Sequence, residues 1–366
     1  MRRILLLLLS GSILISLFGC YDYREVNDTA MVAGISIDQG EDTIYAVAVE
    51  VIQPSDSEKS SPKAKVLKET GNSVEYCLKK LVNAATKDLQ FSHCKLILFS
   101  EKIAEQGISD LVDYFLRDTE YRADLLLAVV SGNDASEMLS SGEKESRISS
   151  YDYASVIENS YAETGSVPPT KLYQFPMDGE LSMLPVFEKA DGMFSISGSQ
   201  GFRNGKKYTQ VDLGFTQSVL LISGEYKKGE LLLCTDDGNE VPCQIRKVST
   251  KKEIVDGYPI VVSVALECNI LLTTLPEGFD ISTETGMETS ESEIARLLTK
   301  KLQDDWNYAV QNGISDIFGL EIYVYRHQPK TYQKQSEQFD GVWVQLNPSC
   351  SVELANFGFS NERIFE

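Results

Sequence analysis

The sequence has few histidines and few basic residues for its length. Its 366 residues include two histidines, and 34 lysines and arginines stand against 54 aspartates and glutamates, which gives a formal charge of −20 at pH 7. Nucleic-acid binding needs clustered basic residues that neutralise phosphates, so this charge argues against a nucleic-acid-binding protein. His93 and His327 have no cysteine or carboxylate partners at ligand spacing, which leaves little for histidine-based metal sites or catalytic triads.

Familiar catalytic motifs are missing as well. The sequence contains no P-loop, no G-x-G-x-x-G, no G-x-S-x-G and no C-x-x-C pair. Among 54 acidic residues some carboxylate pairs arise by chance, so none can be assigned as a glycosidase pair without geometry. We therefore predict a protein that is not an enzyme, with no catalytic residue, no cofactor and no metal site.

The beginning of the chain has the features of a lipoprotein signal peptide. Arg2 and Arg3 precede an almost entirely apolar run over residues 4–18, which is short for a membrane-spanning helix and has the length of a secretory h-region. The run ends in Gly19-Cys20, and a small residue directly before a cysteine here is typical of a lipobox. We expect removal of residues 1–19 and a diacylglycerol on Cys20. An ordinary signal peptide or an uncleaved anchor is the alternative.

Lipidation would matter because the body is strongly acidic. Removal of Arg2 and Arg3 with the signal peptide leaves 32 basic against 54 acidic residues, so the mature charge is −22. Such a charge disfavours adsorption to anionic lipid. Acyl chains would therefore hold the body at the membrane, with two or more chains needed for stable anchoring.

Six cysteines besides Cys20 remain in the mature chain, which permits up to three disulfides in an exported protein. Most of them lie inside apolar runs, where a free cysteine is a small core residue, and this alternative stays open. The best disulfide candidate is Cys234 with Cys243, which would face each other across a two-residue turn at Gly238-Asn239.

The mature chain is predicted to divide into three parts, in a mixed α/β and α+β fold. Residues 20–140 alternate strands with amphipathic helices, which is the pattern of a sheet covered by helices. Residues 141–212 form a small middle α/β domain with a hairpin around Asn204-Gly205.

Residues 213–366 form the third predicted domain, an antiparallel meander covered by a long helix. Its strands are predicted at 218–222, 231–234, 243–248 and 260–274, with two more at 320–326 and 342–355. The helix begins at a capping box of Ser290 and Glu293, carries a broad apolar stripe and ends at Gly313.

Three blocks of the sequence resemble the Ger(x)C family of spore germination lipoproteins, the C subunits of nutrient germinant receptors. The first is Cys20-Tyr-Asp-Tyr-Arg-Glu-Val26 followed by Val32-Ala-Gly-Ile-Ser-Ile-Asp38. The second runs from Phe91-Ser-His93-Cys-Lys95 to Leu116-Arg-Asp118 and Arg122, and the third from Ser315-Asp-Ile-Phe-Gly319 into the region 342–358. Tyr21 stands where the family usually has tryptophan, and Phe18 is bulky for its lipobox position.

The resemblance implies a non-enzymatic body of three domains, each a β-sheet flanked by helices. This body would lie on the outer leaflet of the spore inner membrane, beside two integral-membrane receptor subunits. Polar residues in the blocks would serve either contacts between domains or subunits, or salt bridges and caps within a domain. These residues are Arg24, Glu25, Asp38, His93, Arg117, Asp118 and Asp316.

Two other functions are weighed against a receptor subunit. A solute-binding lipoprotein that delivers a nutrient to a transporter would have two similar α/β lobes, whereas this chain ends in a meander and one long helix. A cell-wall hydrolase would need a nucleophile or metal motif, and the sequence has neither in recognisable form.

Overall fold

The computed structural model describes residues 29–53, 63–143, 147–176, 181–272, 274–336 and 342–355. Within these ranges the chain forms two β-sheets, one of nine strands and one of four, and helices flank both. The predicted mixed α/β and α+β fold class is confirmed. The predicted signal peptide, residues 1–19, lies outside the described residues. Cys20, Arg24 and Glu25 lie outside them as well.

The first sheet contains strands β1 to β9, with helices α1 to α5 between them. Its strands are β1 (Thr29–Gln39), β2 (Tyr45–Gln53), β3 (Lys63–Gly71), β4 (Asp88–Gln90), β5 (Leu96–Ser100), β6 (Leu126–Val130), β7 (Ser182–Ala190), β8 (Met193–Arg203) and β9 (Lys206–Asp212). Its helices are α1 (Val74–Ala84), α2 (Glu101–Gln106), α3 (Ser109–Arg117), α4 (Ala135–Ser140) and α5 (Ser149–Asn159).

The centre of this sheet is parallel, and its order is β3-β2-β1-β5-β6-β7-β8-β9, with β4 paired to β1. Strands β1, β5 and β6 run in one direction, and Gly34 pairs with Leu96, which pairs with Leu126. Every residue of β5 and β6 is buried, because helices cover both faces of a parallel sheet. This explains why both strands are continuous apolar runs in the sequence.

Two separate cores lie on the two faces of the sheet. On one face Ile37 and Phe99 pack against residues of α1, α2 and α3, such as Leu81 and Phe115. On the other face Leu98 and Ala128 pack against Met138 of α4 and Ile157 of α5. The first turns of α4 and α5 therefore meet the same face of β1 and β2.

The strands within residues 141–212 continue the first sheet. Strand β7 pairs in parallel with β6, and β8 and β9 follow as antiparallel neighbours. The predicted β8–β9 hairpin is present, and its turn residues Asn204 and Gly205 have φ of 52° and 69°. Positive φ at both central positions is the requirement of the tight hairpin turn that an Asn-Gly pair favours. The boundaries of the three predicted domains stay a prediction.

The second sheet has the order β10-β11-β12-β13. Strands β10 (Gly229–Cys234), β11 (Glu240–Val255) and β12 (Ile260–Leu272) form the predicted antiparallel meander, and β13 (Val344–Leu354) joins β12 in parallel. The accompanying helices are α6 (Leu213–Ser223), α7 (Glu284–Gln311), α8 (Leu320–His327) and α9 (Pro329–Ser336). The long helix α7 buries Ile294, Leu298, Leu302 and Trp306 in the core beneath the sheet.

Two predicted strands are helices. Residues 218–222 belong to α6, where all eight residues from Phe215 to Ile222 are buried, so the helix has no polar face to reveal a helical period. Residues 320–326 belong to α8, although their alternation of apolar and polar residues is typical of a strand. Leu320 and Val324 are buried while Ile322, midway between them, is only partly buried, and this matches the period of a helix better than that of a strand.

The long helix also begins earlier than predicted. The hydroxyl of Thr283 accepts a hydrogen bond from Gly286 N at 3.0 Å and caps the first turn of α7. Ser290, the predicted cap, lies inside the helix, where its hydroxyl accepts from Asp280 N at 3.0 Å and donates to Asp280 O at 2.9 Å. Ser290 therefore ties the preceding loop to the helix.

The predicted Cys234–Cys243 disulfide is wrong. Five residues rather than two separate β10 from β11, so Cys234 pairs with Glu240 and Cys243 pairs with Leu231. Because side chains alternate along a strand, Cys234 points to the exposed face and Cys243 into the core. All six cysteines of the described residues are free, and four of them are buried, namely Cys77, Cys94, Cys243 and Cys268.

Candidate functional site

Asp38, one of the predicted contact residues, caps a helix inside the first sheet. It lies at the end of β1 and is 3% exposed. Its two carboxylate oxygens accept hydrogen bonds from Ala135 N at 2.9 Å and Ser136 N at 2.8 Å, the first backbone donors of α4. Burial raises the pKa of the Asp38 carboxyl, while these two backbone donors act to lower it. Asp38 thus has an internal structural role.

Glu50 on β2 has the same role at the neighbouring helix, and the sequence analysis missed it. It is fully buried and accepts hydrogen bonds from Ser149 N at 2.7 Å, Ser150 N at 2.8 Å and Ser150 Oγ at 2.5 Å, at the start of α5. Burial raises the pKa of the Glu50 carboxyl. The signal that could have revealed it is one acidic residue inside the apolar run 46–52.

Gly34 lets α5 approach the sheet closely. It is paired with Glu50 across β1 and β2. A Cβ at this position would lie 1.9 Å from Ser150 Oγ and 2.6 Å from Ser150 Cβ. Gly34 and Asp38 are four residues apart on one strand and so point to the same face. The Gly-x-x-x-Asp block therefore serves two helix termini, one through close approach and one through a carboxylate.

Asp38 lies where many α/β sheets bind a ligand. In open α/β sheets, ligands bind beyond the carboxyl ends of the strands, where neighbouring connections leave in opposite directions. Here the chain leaves β1 toward β2 and leaves β5 toward β6 on the other side. Asp38 occupies the helix terminus at this point, and Asn133 exchanges hydrogen bonds of 2.9 and 3.0 Å with the backbone of Gln39. Side chains of the protein therefore satisfy the backbone groups at this end of β1.

His93, Arg117 and Asp118 are exposed or form local contacts. His93 ends a 3₁₀ turn with an exposed side chain, and its backbone oxygen accepts a hydrogen bond from Tyr151 Oη at 3.2 Å. Arg117 pairs with Asp113 one helical turn away at 2.7 Å, and Asp118 accepts from Glu120 N at 3.0 Å. The described structure does not bring these residues together as one site.

Asp316 joins the two sheets. It lies in a 3₁₀ turn (Ser315–Phe318) after α7 and accepts hydrogen bonds from Arg203 Nη2 and from Tyr208 Oη, the latter at 2.8 Å. Tyr208 Oη also contacts Gly313 O at 2.5 Å, and the Arg203 guanidinium carbon lies 3.7 Å from the centre of the Tyr208 ring. Asp316 is therefore the predicted residue that makes a contact between the two sheets.

Arg203 and Tyr208 belong to the β8–β9 hairpin, and helices of the first sheet also contact this hairpin. Gly205 O accepts a hydrogen bond from Ile108 N at 2.8 Å, at the start of α3. Lys207 donates to Glu101, and it lies 3.3 Å from Glu105. The Lys207 ammonium lowers the pKa of the Glu101 carboxyl. The β8–β9 hairpin is thus held between α2 and α3 on one side and the 3₁₀ turn on the other.

Neither a metal centre nor a membrane-spanning helix appears in the described parts of the chain. No group of three or more histidine, cysteine or acidic side chains there is arranged to hold a metal ion. No helix there is long and apolar enough to cross a bilayer.

Comparison with known families accounts for nearly all of the chain. Residues 22–178 match the model of the spore germination protein N-terminal domain, and residues 197–358 match the model of the spore germination B3/GerAC-like C-terminal domain. The chain belongs to the Ger(x)C family. It is a family of germinant receptor C subunits and not a known enzyme family. The junction between the two matched regions falls at residues 179–196, where this Ger(x)C protein enters strands β7 and β8.

Relatives in Bacillus subtilis (strain 168) align along most or part of this Ger(x)C protein. Spore germination protein B3 is 21% identical over 363 residues, which are 94% of this chain and 96% of that protein. Spore germination protein KC is 29% identical over 147 residues, and the alignment covers 38% of this chain and 36% of that protein. The crystal structure of the GerBC protein matches 92% of the chain and all of its own with a TM-score of 0.58 at 17% identity, so it shares the fold.

Proposed function

We propose that this protein is a lipid-anchored, non-catalytic subunit of a nutrient germinant receptor that acts in spore germination together with two integral-membrane subunits. The observation that carries the proposal is the match of both family models, in order, across residues 22–178 and 197–358. The relatives are named as spore germination proteins, which supports the same process for this chain.

Diacylglycerol on Cys20 would supply the membrane attachment. The apolar run and Gly19-Cys20 support this, and a body of charge −22 needs an anchor other than its net charge. Cys20 precedes β1 by nine residues, a span of at most about 30 Å when extended. A tether of this length would confine the body to the membrane surface and raise its effective concentration for integral partners.

A non-catalytic role is supported by the internal use of the buried carboxylates. Asp38 and Glu50 are the acidic residues buried in the described first sheet, and each accepts hydrogen bonds from a helix terminus. Groups engaged in this way hold the fold together and are not presented to a substrate.

The same geometry disfavours a solute-binding lipoprotein. A groove of about 310 Å³ lies beside the carboxyl end of β1, but polar loop side chains and an exposed isoleucine line it, and solute sites are usually enclosed and mostly apolar. The lining residues are Gln39, Asp42, Thr43, Ile44, Asn72 and Gln106. A micromolar affinity of residues 21–366 for an amino acid or a sugar in calorimetry would revive this alternative.

Replacement of the proposed lipid site tests the anchored function. In spores that carry Cys20→Ala, we expect the protein to leave the membrane fraction and nutrient-triggered germination to be lost or greatly slowed. Germination with a non-nutrient trigger serves as the control. Normal nutrient germination with the protein released from membranes would contradict the proposal.

A further inference from the structure

The sequence contains two Asn-Gly pairs, and both lie next to the contact between the two sheets. Asn204-Gly205 forms the turn of the β8–β9 hairpin, beside Arg203, which pairs with Asp316. Asn312-Gly313 follows α7, and Gly313 O accepts the hydrogen bond of Tyr208 Oη at 2.5 Å. An asparagine before a glycine readily loses its side-chain amide to water, because glycine has no side chain to hinder attack by its own nitrogen.

This deamidation needs no catalyst and no reactant other than water. The glycine nitrogen bonds to Cγ of the asparagine, its proton leaves with the side-chain nitrogen as ammonia, and a succinimide ring forms. Water then adds to one of the two carbonyl carbons of the ring, and the bond from that carbon to the ring nitrogen breaks. The product is aspartate, or isoaspartate, whose backbone runs through the side chain and is one carbon longer.

The reacting groups of the first pair are not hydrogen-bonded. Asn204 is exposed, and in the described structure neither its side-chain amide nor Gly205 N has a hydrogen-bond partner. The peptide group between Asn204 and Gly205 can therefore rotate without the loss of a hydrogen bond to any described residue.

Rotation of this one peptide group gives the reactive geometry. Asn204 and Gly205 have φ of 52° and 69°, and positive φ at both central positions is typical of a type I′ turn. Rotation of the central peptide group converts it to a type II′ turn, in which ψ of the first central residue is about −120°. At this ψ the Cβ of an L-residue is eclipsed with the next nitrogen, so Gly205 N approaches Asn204 Cγ. Both turn types connect the strands of a two-residue hairpin, so β8 and β9 stay in place.

The second pair is held by hydrogen bonds at both reacting groups. Asn312 Nδ2 donates to Tyr308 O at 2.8 Å, and Gly313 N donates to Val310 O at 3.2 Å. Attack of Gly313 N on Asn312 would have to break both bonds. Asn312 is therefore a matched control for Asn204 within the same chain.

We propose that Asn204 is a site of spontaneous deamidation, and that isoaspartate at this position loosens the contact between the two sheets. The turn has two residues, so an extra backbone carbon cannot enter it without a shift of its ends. Gly205 O accepts a hydrogen bond from Ile108 N at 2.8 Å, and Arg203 beside the turn pairs with Asp316. A longer turn would displace both of these groups from their partners.

The test keeps residues 21–366 folded near neutral pH for several weeks, or unfolded in guanidinium chloride for the same time. Peptide mass spectrometry follows the gain of one mass unit at each asparagine, and chromatography separates aspartate from isoaspartate. In the folded protein Asn204 should convert at least about tenfold faster than Asn312, because each hydrogen bond at the second pair contributes a factor of about five. In the unfolded protein the two rates should be similar.

Asn204→Gly is the matched variant, because glycine accepts the positive φ of the turn and has no amide to lose. Hydrogen exchange around Ile108 should be faster in the aged native protein than in the fresh protein, and Asn204→Gly should show no such increase. Equal rates at Asn204 and Asn312 in the folded protein, or a difference that persists after unfolding, would overturn the assignment of the site. Unchanged exchange around Ile108 in protein with isoaspartate at position 204 would overturn the effect on the contact.

Discussion

Gly34 and Ser150 are in such close contact that a methyl group on Gly34 would lie 1.9 Å from the Ser150 hydroxyl oxygen. The contact holds the first turn of α5 over β1 and β2, where Glu50 accepts hydrogen bonds from Ser149 N and Ser150 N. The buried Glu50 carboxylate stabilises the fold only while these donors stay in place, because burying a charge without hydrogen-bond partners costs free energy. Gly34 is therefore part of the site that Glu50 forms.

The first prediction concerns Gly34→Ala. The added methyl group must displace Ser150, and overpacking of this kind lowers the free energy of unfolding by about 1–3 kcal/mol. Urea unfolding of residues 21–366 measures the change. The control is Gly214→Ala, where the nearest atom is an ordinary 3.5 Å away and the position is helical, so stability should stay equal or rise slightly. Equal stability of Gly34→Ala and the native protein would contradict the assigned contact.

The second prediction concerns pH and the Lys207–Glu101 pair. The two side chains are 23% and 28% exposed, and Lys207→Gln should lower the free energy of unfolding by about 1–2 kcal/mol at pH 7. Lys207 holds the pKa of Glu101 below its usual 4.5, so the stabilisation is present above that value and is lost as pH falls through the lower, folded pKa. The difference between native and variant should therefore shrink from about pH 6 to about pH 3.

Lys228→Gln is the matched control for this pair. Lys228 and Glu163 form an exposed ion pair at 3.1 Å with side chains 51% and 70% exposed, which contributes little to stability. Chemical unfolding at several pH values compares the two variants. A Lys207→Gln effect that is constant from pH 6 to pH 3, or no larger than the control's, would refute the prediction.

The third prediction concerns the joint between the two sheets. Tyr208→Phe keeps the ring beneath Arg203 but removes the hydroxyl that contacts Gly313 O and Asp316, which should lower the free energy of unfolding by about 1 kcal/mol. Hydrogen exchange should increase in β9 and around the 3₁₀ turn. Tyr308→Phe, at a position that is 54% exposed, should change neither measurement. Equal behaviour of the two variants would rule out the role given to Tyr208.

The fourth prediction concerns the thiols of residues 21–366. Cys234 is exposed, so in the native protein it should react with a maleimide first. Burial raises the pKa of Cys94, Cys243 and Cys268 to about 12 and that of Cys350 to about 11, which disfavours the reactive thiolates. All six cysteines should react after denaturation without reductant, as counted by mass spectrometry. Two labels that appear only after reduction would reveal a disulfide and contradict the structure.

Local patterns in the sequence predicted much of the fold. The continuous apolar runs of β5 and β6, the Asn204-Gly205 turn and the apolar stripe of α7 each carry their signal within a few residues. The family resemblance included Gly34, Asp38 and Asp316, and the structure gives each a physical role. Asp38 caps a helix within the first sheet, as expected if these residues serve caps within a domain. Asp316 makes a contact between the two sheets.

The missed features depend on residues that are far apart in the sequence. Glu50 meets its donors 99 and 100 positions later, so a lone acid in an apolar run can indicate a buried carboxylate but cannot identify its partners. Helix α6 is buried all round and therefore lacks the period by which a helix is predicted. Cys234 and Cys243 fall on opposite faces because the turn is longer than predicted, and a shift of one residue reverses every side chain of a strand.

The central claim is that this chain is a subunit of a membrane receptor, and affinity capture from detergent-solubilised spore membranes tests it most directly. With the tagged native chain as bait, the account predicts that two integral-membrane proteins with several spans come along in fixed proportion to the bait. The untagged strain is the control. Recovery of the chain alone from membranes that contain it would contradict the account.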